Sequence, residues 1–281
     1  MVELKDIVNI DIYPIDQQNC DEYKKLVIQY SKELDLTGCC SLPNFIKKTS
    51  LERMLNEIGR KRNKVYWASD RHNPYFTKED ATLSKNHPKR MFQTRHSGYV
   101  NSNILDKESD LRILYTQQAL VDFVSNCLKV KPIYCWEDPL GSNPYSLMDP
   151  GHYFPWHFDG NEFTLSILIQ KAEKGGVFEY VQDLRSPEDE NFEEVRKVLE
   201  GNREKVNQVD LNPGDLQIFK GRFSMHRVTQ VEGNQARYIA LPTYVKDPKR
   251  VNKPEHSKQV YGDALAIHYE RAYIKADKLT D

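Results

Sequence analysis

A histidine and an aspartate two positions apart, together with a distant second histidine, are the residues of this chain best suited to chemistry. His157 and Asp159 lie in the segment Phe154-Pro-Trp-His-Phe-Asp-Gly160, and His226 lies in a later segment with strand character. Two histidines and one carboxylate form the ligand set that holds non-haem Fe(II) by one face and leaves the opposite face open. The three residues therefore predict a reactive metal centre.

The spacing of the first two ligands suits an extended strand. Successive side chains of a strand point to opposite faces, so His157 and Asp159 project together while Trp156 and Phe158 project into whatever packs behind. Only the tertiary fold can bring His226 to this pair. A His-x-Asp pair alone is common by chance, so its sequence context has to support the metal site.

Short strand-like segments surround the predicted ligands. They are apolar or β-branched runs bounded by glycine and proline, at positions 163–170, 175–181, 216–219 and 236–245. Pro213-Gly214 fits the centre of a type II turn, and the segment 232–235 fits a hairpin turn. Many short antiparallel strands in one region predict a mainly β fold with flanking helices, built on a double-sheet jelly roll whose mouth can hold a small ligand.

This region resembles the Fe(II)- and 2-oxoglutarate-dependent dioxygenases. In that family the fold is a double-stranded β-helix, the His-x-Asp pair and a distal His bind iron, and an Arg about one strand past the distal His pairs with the far carboxylate of 2-oxoglutarate. Arg237 occupies that position, and a guanidinium makes a planar two-pronged contact with a carboxylate that Lys cannot reproduce. The resemblance implies Fe(II), 2-oxoglutarate and O2 as cofactors. Arg222 and Arg227, which flank His226, are the alternatives to Arg237 and would otherwise hold substrate or face solvent.

One departure from the family pattern concerns the cosubstrate. Many members carry Arg-x-Ser, in which the hydroxyl assists the Arg, whereas this chain reads Arg237-Tyr-Ile239. A second partner of the carboxylate must therefore come from elsewhere, and Tyr134, Thr164 and Thr243 are candidates.

A closer similarity, over roughly residues 90 to 245, is to the subgroup that contains the free-lysine radical halogenases and their hydroxylase relatives. The segments that carry it are Trp156-His-Phe-Asp159, Gly175-Gly-Val-Phe-Glu-Tyr180 and Gly221-Arg-Phe-Ser-Met-His-Arg-Val228. The halogenases have Gly in place of the metal-binding carboxylate, which frees a coordination site for chloride. This chain keeps Asp159, so the resemblance implies hydroxylation.

Length and composition fit a single enzyme domain. A chain of 281 residues can bury a substantial core as one domain. Lys and Arg number 40 against 41 acidic residues, so no overall field would draw nucleic acid. We expect a cytosolic protein, because no apolar run approaches 18 residues and the amino terminus is not of the secretory type. The five cysteines lack the spacings of a zinc module or a disulfide framework and are expected to be reduced thiols.

Apolar periodicity divides the chain into three regions. We expect residues 1–130 to be mainly helical and to brace one sheet, and residues 131–247 to form the jelly-roll core, with a helical insertion at 186–201. Residues 248–281 are expected to form a helical tail. This tail would cover the core or contact a second subunit, as in a homodimer.

Three residues are candidates for substrate binding. Arg95, in a polar loop at 93–98 that is rich in hydrogen-bond donors, would suit a substrate carboxylate, and the alternative is a solvated basic loop. Glu137 and Asp138 would accept a substrate amine, as an acid near this position does in the lysine-binding relatives. The alternative for these two acids is a turn before Pro139.

The sequence thus predicts an oxygenase that hydroxylates an unactivated C–H bond of a small molecule and releases succinate and CO2. A free amino acid, with basic ones such as lysine first, is the expected substrate. A prolyl-type hydroxylase of protein residues would share the triad, and a cupin-like metal-binding protein would use the same ligands without redox chemistry. An oxidative cyclase or desaturase would differ only in the fate of the substrate radical.

Overall fold

The computed structural model describes residues 2–274 and 277–280. In these ranges the α-helices are α1 (Leu4–Ile7), α2 (Asp21–Thr37), α3 (Lys48–Lys61), α4 (Asp110–Tyr115), α5 (Gln118–Leu128), α6 (Phe192–Leu199), α7 (Pro254–Tyr261) and α8 (Ala266–Glu270). The β-strands are β1 (Cys39–Leu42), β2 (Tyr66–His72), β3 (Gln93–Val100), β4 (Tyr134–Cys135), β5 (Tyr145–Met148), β6 (Phe154–His157), β7 (Phe163–Gln170), β8 (Lys174–Gly175), β9 (Phe178–Val181), β10 (Asn207–Val209), β11 (Leu216–Phe219), β12 (Met225–Val228), β13 (Val231–Glu232), β14 (Arg237–Ala240) and β15 (Thr243–Val245).

Two antiparallel sheets form the body of the protein. The larger has nine strands, with the order β1-β11-β7-β14-β5-β3-β2, and β15 pairs with both β7 and β4 at its side. The smaller has the order β10-β9-β12-β6, and β8 and β13 form a separate ribbon. The jelly roll with flanking helices that the sequence predicts is confirmed.

Strand β7 shows how the larger sheet divides core from site. Leu165, Ile167 and Ile169 are buried in the main hydrophobic core together with side chains of the amino-terminal helices. The alternate residues Thr164 and Ser166 line a cavity on the opposite face. This two-residue period lets one strand brace the core and present hydroxyl groups to the cavity.

The amino-terminal region contributes strands as well as helices. β1 pairs with β11, and β2 and β3 extend the other end of the larger sheet. The prediction of a polar loop around Arg95 was wrong, because Arg95 lies on β3 opposite Asp70 of β2. The segment 93–98 lacks the apolar alternation that reveals a strand, and its extended conformation comes from pairing with both neighbours.

The predicted helical segments occur, with shifted bounds. The stretch 110–130 is divided into α4 and α5, and the helix of the insertion at 186–201 is limited to α6. Val195 and Val198 of α6 pack in a cluster with Trp156 and Phe158, behind the predicted metal ligands. The tail forms α7 and α8, and the homodimer contact stays a prediction.

Within the described ranges, the structure contains no helix with the length and apolar character needed to cross a membrane.

Candidate active site

The three predicted metal ligands meet at one end of the smaller sheet. β6 and β12 are neighbours, and His157 lies directly opposite His226. Asp159 follows just beyond the end of β6. Its Oδ1 atom lies 3.8 Å from Nε2 of His157 and 3.4 Å from Nε2 of His226. Ligand atoms of all three residues lie within 4.8 Å of one another, so one metal ion could contact all three.

Backbone carbonyls orient both imidazoles. Nδ1 of His157 lies 2.8 Å from the carbonyl oxygen of Pro155, and Nδ1 of His226 lies 3.1 Å from that of Ser224. With Nδ1 as the donor, each Nε2 keeps its lone pair for a metal. Burial, with a further contribution from His226, lowers the pKa of His157 well below its usual value and keeps the ring neutral.

The carboxylate of Asp159 is held by neighbouring residues on two sides. The Thr164 hydroxyl donates to its Oδ2 at 2.9 Å, and Asn161 Nδ2 donates to Thr164 Oγ1 at 2.6 Å. A Cβ atom at Gly221 would lie only 1.9 Å from the same Oδ2, so the carboxylate packs directly on the Gly221 backbone. Burial raises the pKa of Asp159, but the two imidazoles and the Thr164 hydroxyl outweigh this effect and bring it to about 2.

These residues fit a divalent metal with open coordination positions. Two neutral imidazole nitrogens and one ionised carboxylate form the facial donor set of non-haem iron sites, and both histidines have the supporting hydrogen bonds usual for metal ligands. Each ligand also borders a cavity in which further groups could reach the metal.

The first cavity beside the triad, of about 90 Å³, has Arg237 in its wall. Arg237 lies on β14 and is 5% exposed, and burial lowers its pKa to about 10, so the guanidinium remains charged at neutral pH. No residue in the described ranges pairs with this guanidinium through an ion pair or a side-chain hydrogen bond. A buried charge without a partner is unfavourable, so the cavity is suited to an anion.

The two alternative arginines are engaged elsewhere. Arg222 pairs with Asp277 through its Nε at 2.7 Å and also donates to the carbonyl oxygen of Gly160 at 2.9 Å. Arg227 donates to Glu179 at 2.6 Å. Neither is among the described residues that line the Arg237 cavity.

Serine residues on two strands supply the hydroxyl groups of this cavity. Ile239 occupies the position at which many family members have Ser, and it lies opposite Ser146 of β5. Ser146 and Ser166 both line the cavity. The sequence analysis missed both residues. Ser166 could have been predicted, because it lies two residues after Thr164 and therefore on the same face of the strand. No pattern in the sequence around Ser146 indicates that it lines this cavity.

The three residues suggested as the second carboxylate partner lie in different places. Thr164 lines the Arg237 cavity, but its hydroxyl is used on Asp159. Tyr134 lies on β4 with 43% of its surface exposed. Thr243 lines a second cavity instead.

The second cavity, of about 70 Å³, adjoins the first, and both are bordered by His157, Asp159 and Thr164. Segment 252–261, which includes α7, forms one side of it through Asn252, His256, Val260 and Tyr261. The remaining wall is largely aromatic, with the side chains of Phe76, Tyr99, Trp136, Phe154 and Phe158. This composition suits an organic substrate placed next to the metal ligands.

Phe76 in this wall has a strained backbone. Its φ of 55° is unusual for a bulky residue. The ring stacks on His72 at a centroid distance of 4.1 Å and lies 4.8 Å from the ring of His256. Such strain persists where the surrounding contacts enforce it, and these two histidines supply those contacts.

Arg95 is fully buried near the second cavity, but it is not among the described residues that line it. Its Nε donates to Asp70 at 3.0 Å and its Nη2 to the carbonyl oxygen of Gln259 in α7 at 2.6 Å. The guanidinium carbon lies 5.3 Å from the ring centre of Phe154. In this structure Arg95 therefore ties α7 to the larger sheet behind the aromatic wall.

The two candidate acids are also bound to other parts of the chain. Glu137 is exposed and pairs with Arg271 at 2.5 Å. Asp138 is fully buried, accepts a backbone hydrogen bond from Asn252 at 3.0 Å and lies 3.2 Å from Nε2 of His268. Neither acid lines the two described cavities.

Comparisons with known proteins agree with this geometry. A family model described as Halogenase D matches residues 23–261. No curated protein sequence matches the chain. Among solved structures, the non-heme alpha ketoglutarate dependent carbocyclase SnoK from nogalamycin biosynthesis has a TM-score of 0.56 at 12% identity, over 79% of this chain and 85% of that chain.

Two further solved structures share the fold. The epimerase SnoN from nogalamycin biosynthesis has a TM-score of 0.55 at 13% identity, over 79% of this chain and 81% of that chain. AviO1 from Streptomyces viridochromogenes Tue57 has a TM-score of 0.53 at 16% identity, over 79% of this chain and 95% of that chain. At such identities the likeness concerns the jelly-roll fold. Because the family model spans most of the chain, the protein belongs to the Halogenase D family.

Proposed function

We propose that this protein hydroxylates a C–H bond of a small molecule in a reaction that depends on Fe(II), 2-oxoglutarate and O2 and releases succinate and CO2. One observation carries the proposal. His157, Asp159 and His226 converge beside a cavity whose wall holds Arg237, a buried cation without a partner in the described chain. A possible metal-binding triad next to a buried guanidinium fits a metal ion and a dicarboxylate that bind side by side.

The protein's own residues would bind and orient the reactants. His157 and His226 would bind the metal through Nε2 and Asp159 through Oδ1, while Arg237 would hold the far carboxylate of 2-oxoglutarate. Hydroxyl groups of Ser146 or Ser166 would donate to that carboxylate in place of the missing Arg-x-Ser serine. When bound, the iron and its cosubstrate supply the oxidising power that breaks the C–H bond. The aromatic wall of the second cavity would exclude water from the reacting carbon.

The retained carboxylate supports hydroxylation over halogenation. The halogenases that this chain resembles have Gly at the third ligand position, whereas here Asp159 is held by Thr164 and packed against Gly221. A carboxylate in that position would occupy the metal coordination site that the halogenases leave open for a halide. The proposed product is therefore an alcohol.

The shape of the second cavity supports a small substrate. Segment 252–261 closes one side of this cavity, whose volume of about 70 Å³ leaves room for a small group only. A prolyl-type hydroxylase would need an open groove for a polypeptide. A free amino acid remains the substrate class that the resemblance suggests, with lysine as its basic example.

Succinate release from 2-oxoglutarate, measured with the Fe(II)-loaded protein and a panel of the free amino acids in chloride buffer, tests this proposal. We expect one or more amino acids to stimulate succinate formation and to gain one oxygen atom by mass spectrometry. Arg237→Met should lose the stimulation. A chlorinated product would overturn the choice of hydroxylation, a product two hydrogens lighter would favour the desaturase or cyclase alternative, and bound zinc without succinate would favour the non-redox alternative.

A further inference from the structure

We propose that the part of the substrate next to Asp159 carries no positive charge, and that Asn252 binds an oxygen acceptor of the substrate. This inference rests on the proposed hydroxylation and narrows its substrate class. Among free amino acids, it favours those with apolar side chains over lysine and other basic ones.

The first support is the chemistry of the cavity wall. Among the described residues that line the second cavity, Asp159 is the only carboxylate, and it is a proposed metal ligand. Most of the remaining wall is aromatic or aliphatic. A side-chain ammonium group placed beside Asp159 would have no second carboxylate to pair with, and a buried charge without a partner is strongly unfavourable.

Acids outside the wall are already neutralised. Asp138 is bonded to the backbone of Asn252 and lies beside His268, and Glu162 pairs with Arg250 at 3.1 Å. Arg95 lies behind the wall, with its guanidinium carbon 6.0 Å from the ring centre of Phe76. The electrostatic surroundings of the cavity therefore favour a neutral or oxygen-rich ligand over a cation.

The second support is an unsatisfied hydrogen-bond donor. Asn252 is 8% exposed and borders the cavity, and its buried Nδ2 has no hydrogen-bond partner in the described chain. A buried donor that has lost water and gained no partner is costly, so an acceptor that enters the cavity gains affinity by satisfying it. An amide can donate to a carboxylate or carbonyl oxygen, but it cannot neutralise an ammonium group.

Two probes separate these alternatives. L-Lysine and L-2-aminoheptanoate have the same α-carbon groups and side chains of equal length, and differ in an ammonium against a methyl group at the end. Each would be titrated anaerobically into protein loaded with Fe(II) and 2-oxoglutarate, with intrinsic fluorescence as the readout, since Trp136, one of three tryptophans, lies in the cavity wall. The visible absorption of the loaded site, recorded in the same samples, reports cosubstrate binding independently.

We expect L-2-aminoheptanoate to bind at least about ten-fold more tightly than L-lysine, and Asn252→Leu to weaken its binding about ten-fold. Because Nδ2 has no partner to lose, the Tm of ligand-free Asn252→Leu should equal or exceed that of the parent protein. Asn73→Leu is the matched control, since Asn73 Nδ2 donates to Thr77 and to the Lys89 carbonyl oxygen and its loss should lower Tm.

Tighter binding of L-lysine, equal binding of the two probes, or unchanged affinity in Asn252→Leu would overturn the inference. Failure of both probes to bind a site that binds Fe(II) and 2-oxoglutarate would also overturn it, while leaving the proposed function intact. Failure of 2-oxoglutarate itself to bind would instead remove the proposed function on which the inference rests.

Discussion

The hydroxyl group of Thr164 donates to Oδ2 of Asp159 at 2.9 Å, which leaves Oδ1 facing the two imidazoles. Asn161 in turn donates to Thr164, so the hydroxyl hydrogen is directed at the carboxylate. These contacts orient the carboxylate that would serve as the third metal ligand. The family model that matches this chain is described as a halogenase. The contact of Thr164 with Asp159 stabilises the carboxylate on which the proposed hydroxylation depends.

Thr164→Val should weaken metal binding about 10- to 100-fold, because partners that orient a ligand commonly contribute that much to metal affinity. The substitution keeps the volume of the side chain and removes only the hydroxyl. Titration with Co(II), followed by its visible absorption, measures the affinity without requiring turnover. Thr164→Ser should restore most of the Co(II) affinity. Thr243→Val should leave the affinity unchanged, because the Thr243 hydroxyl lies near the carbonyl oxygen of Leu241. Equal Co(II) affinity in Thr164→Val and the parent protein would contradict this role.

Gly221→Ala should abolish tight metal binding, because its new methyl group would overlap Oδ2 of Asp159 and displace the carboxylate. Gly59→Ala is the matched control, since no atom lies within 4 Å of a Cβ built at that position of α3. The control should bind Co(II) normally and gain roughly 0.5–1 kcal/mol of stability from the better helix former. Normal Co(II) binding by a folded Gly221→Ala protein would show that Asp159 is not a required ligand.

Arg237→Met should reduce 2-oxoglutarate affinity about 100-fold or more, since it removes the charged partner of a buried carboxylate. The free variant should be at least as stable as the parent protein, because a buried unpaired charge has been replaced by an apolar side chain of similar length. Arg237→Lys should bind weakly as well, because an ammonium lacks the two-pronged geometry. Calorimetric titration with 2-oxoglutarate and thermal unfolding measure the two effects, and unchanged affinity in Arg237→Met would place the cosubstrate elsewhere.

His72 should make the protein acid-sensitive. Burial lowers the pKa of its imidazole to about 4 in the folded state, against an ordinary value of 6.5. The unfolded chain therefore takes up the proton first as pH falls, and stability is lost between pH 6.5 and about 4. The His72→Phe variant, which keeps an aromatic ring against Phe76, should gain about 2 kcal/mol relative to the parent protein on going from pH 7.5 to pH 5. Urea unfolding at both pH values measures this change, and a pH-independent difference would contradict the shift.

Local sequence patterns identified the residues that converge at the site, because the spacing of His157 and Asp159 reflects a local chain conformation. The alternation around His157 holds in the structure, where Trp156 and Phe158 are buried in a cluster behind the ligands. Asp159 itself lies past the end of β6, and its carboxylate is placed by Thr164 and Gly221, which come from two other segments.

The features that were missed depend on contacts between distant segments. Asn252 borders the second cavity only because the segment before α7 reaches across to the loop after Asp159. Arg95 seemed to belong to a loop because its strand has no apolar alternation, and tertiary pairing with β2 and β5 makes it extended. Asp138 and its neighbour Glu137 could not be told from substrate ligands by sequence, since their partners His268 and Arg271 lie in the tail.

The most direct measurement for the central claim is an anaerobic titration of the metal-free protein with Fe(II) and then 2-oxoglutarate, followed by visible absorption. We predict a weak charge-transfer band that appears only when both are present, that is lost in Asp159→Ala, and that needs much more 2-oxoglutarate in Arg237→Met. Absence of the band in the parent protein, with zinc retained in place of iron, would contradict an Fe(II)- and 2-oxoglutarate-dependent function.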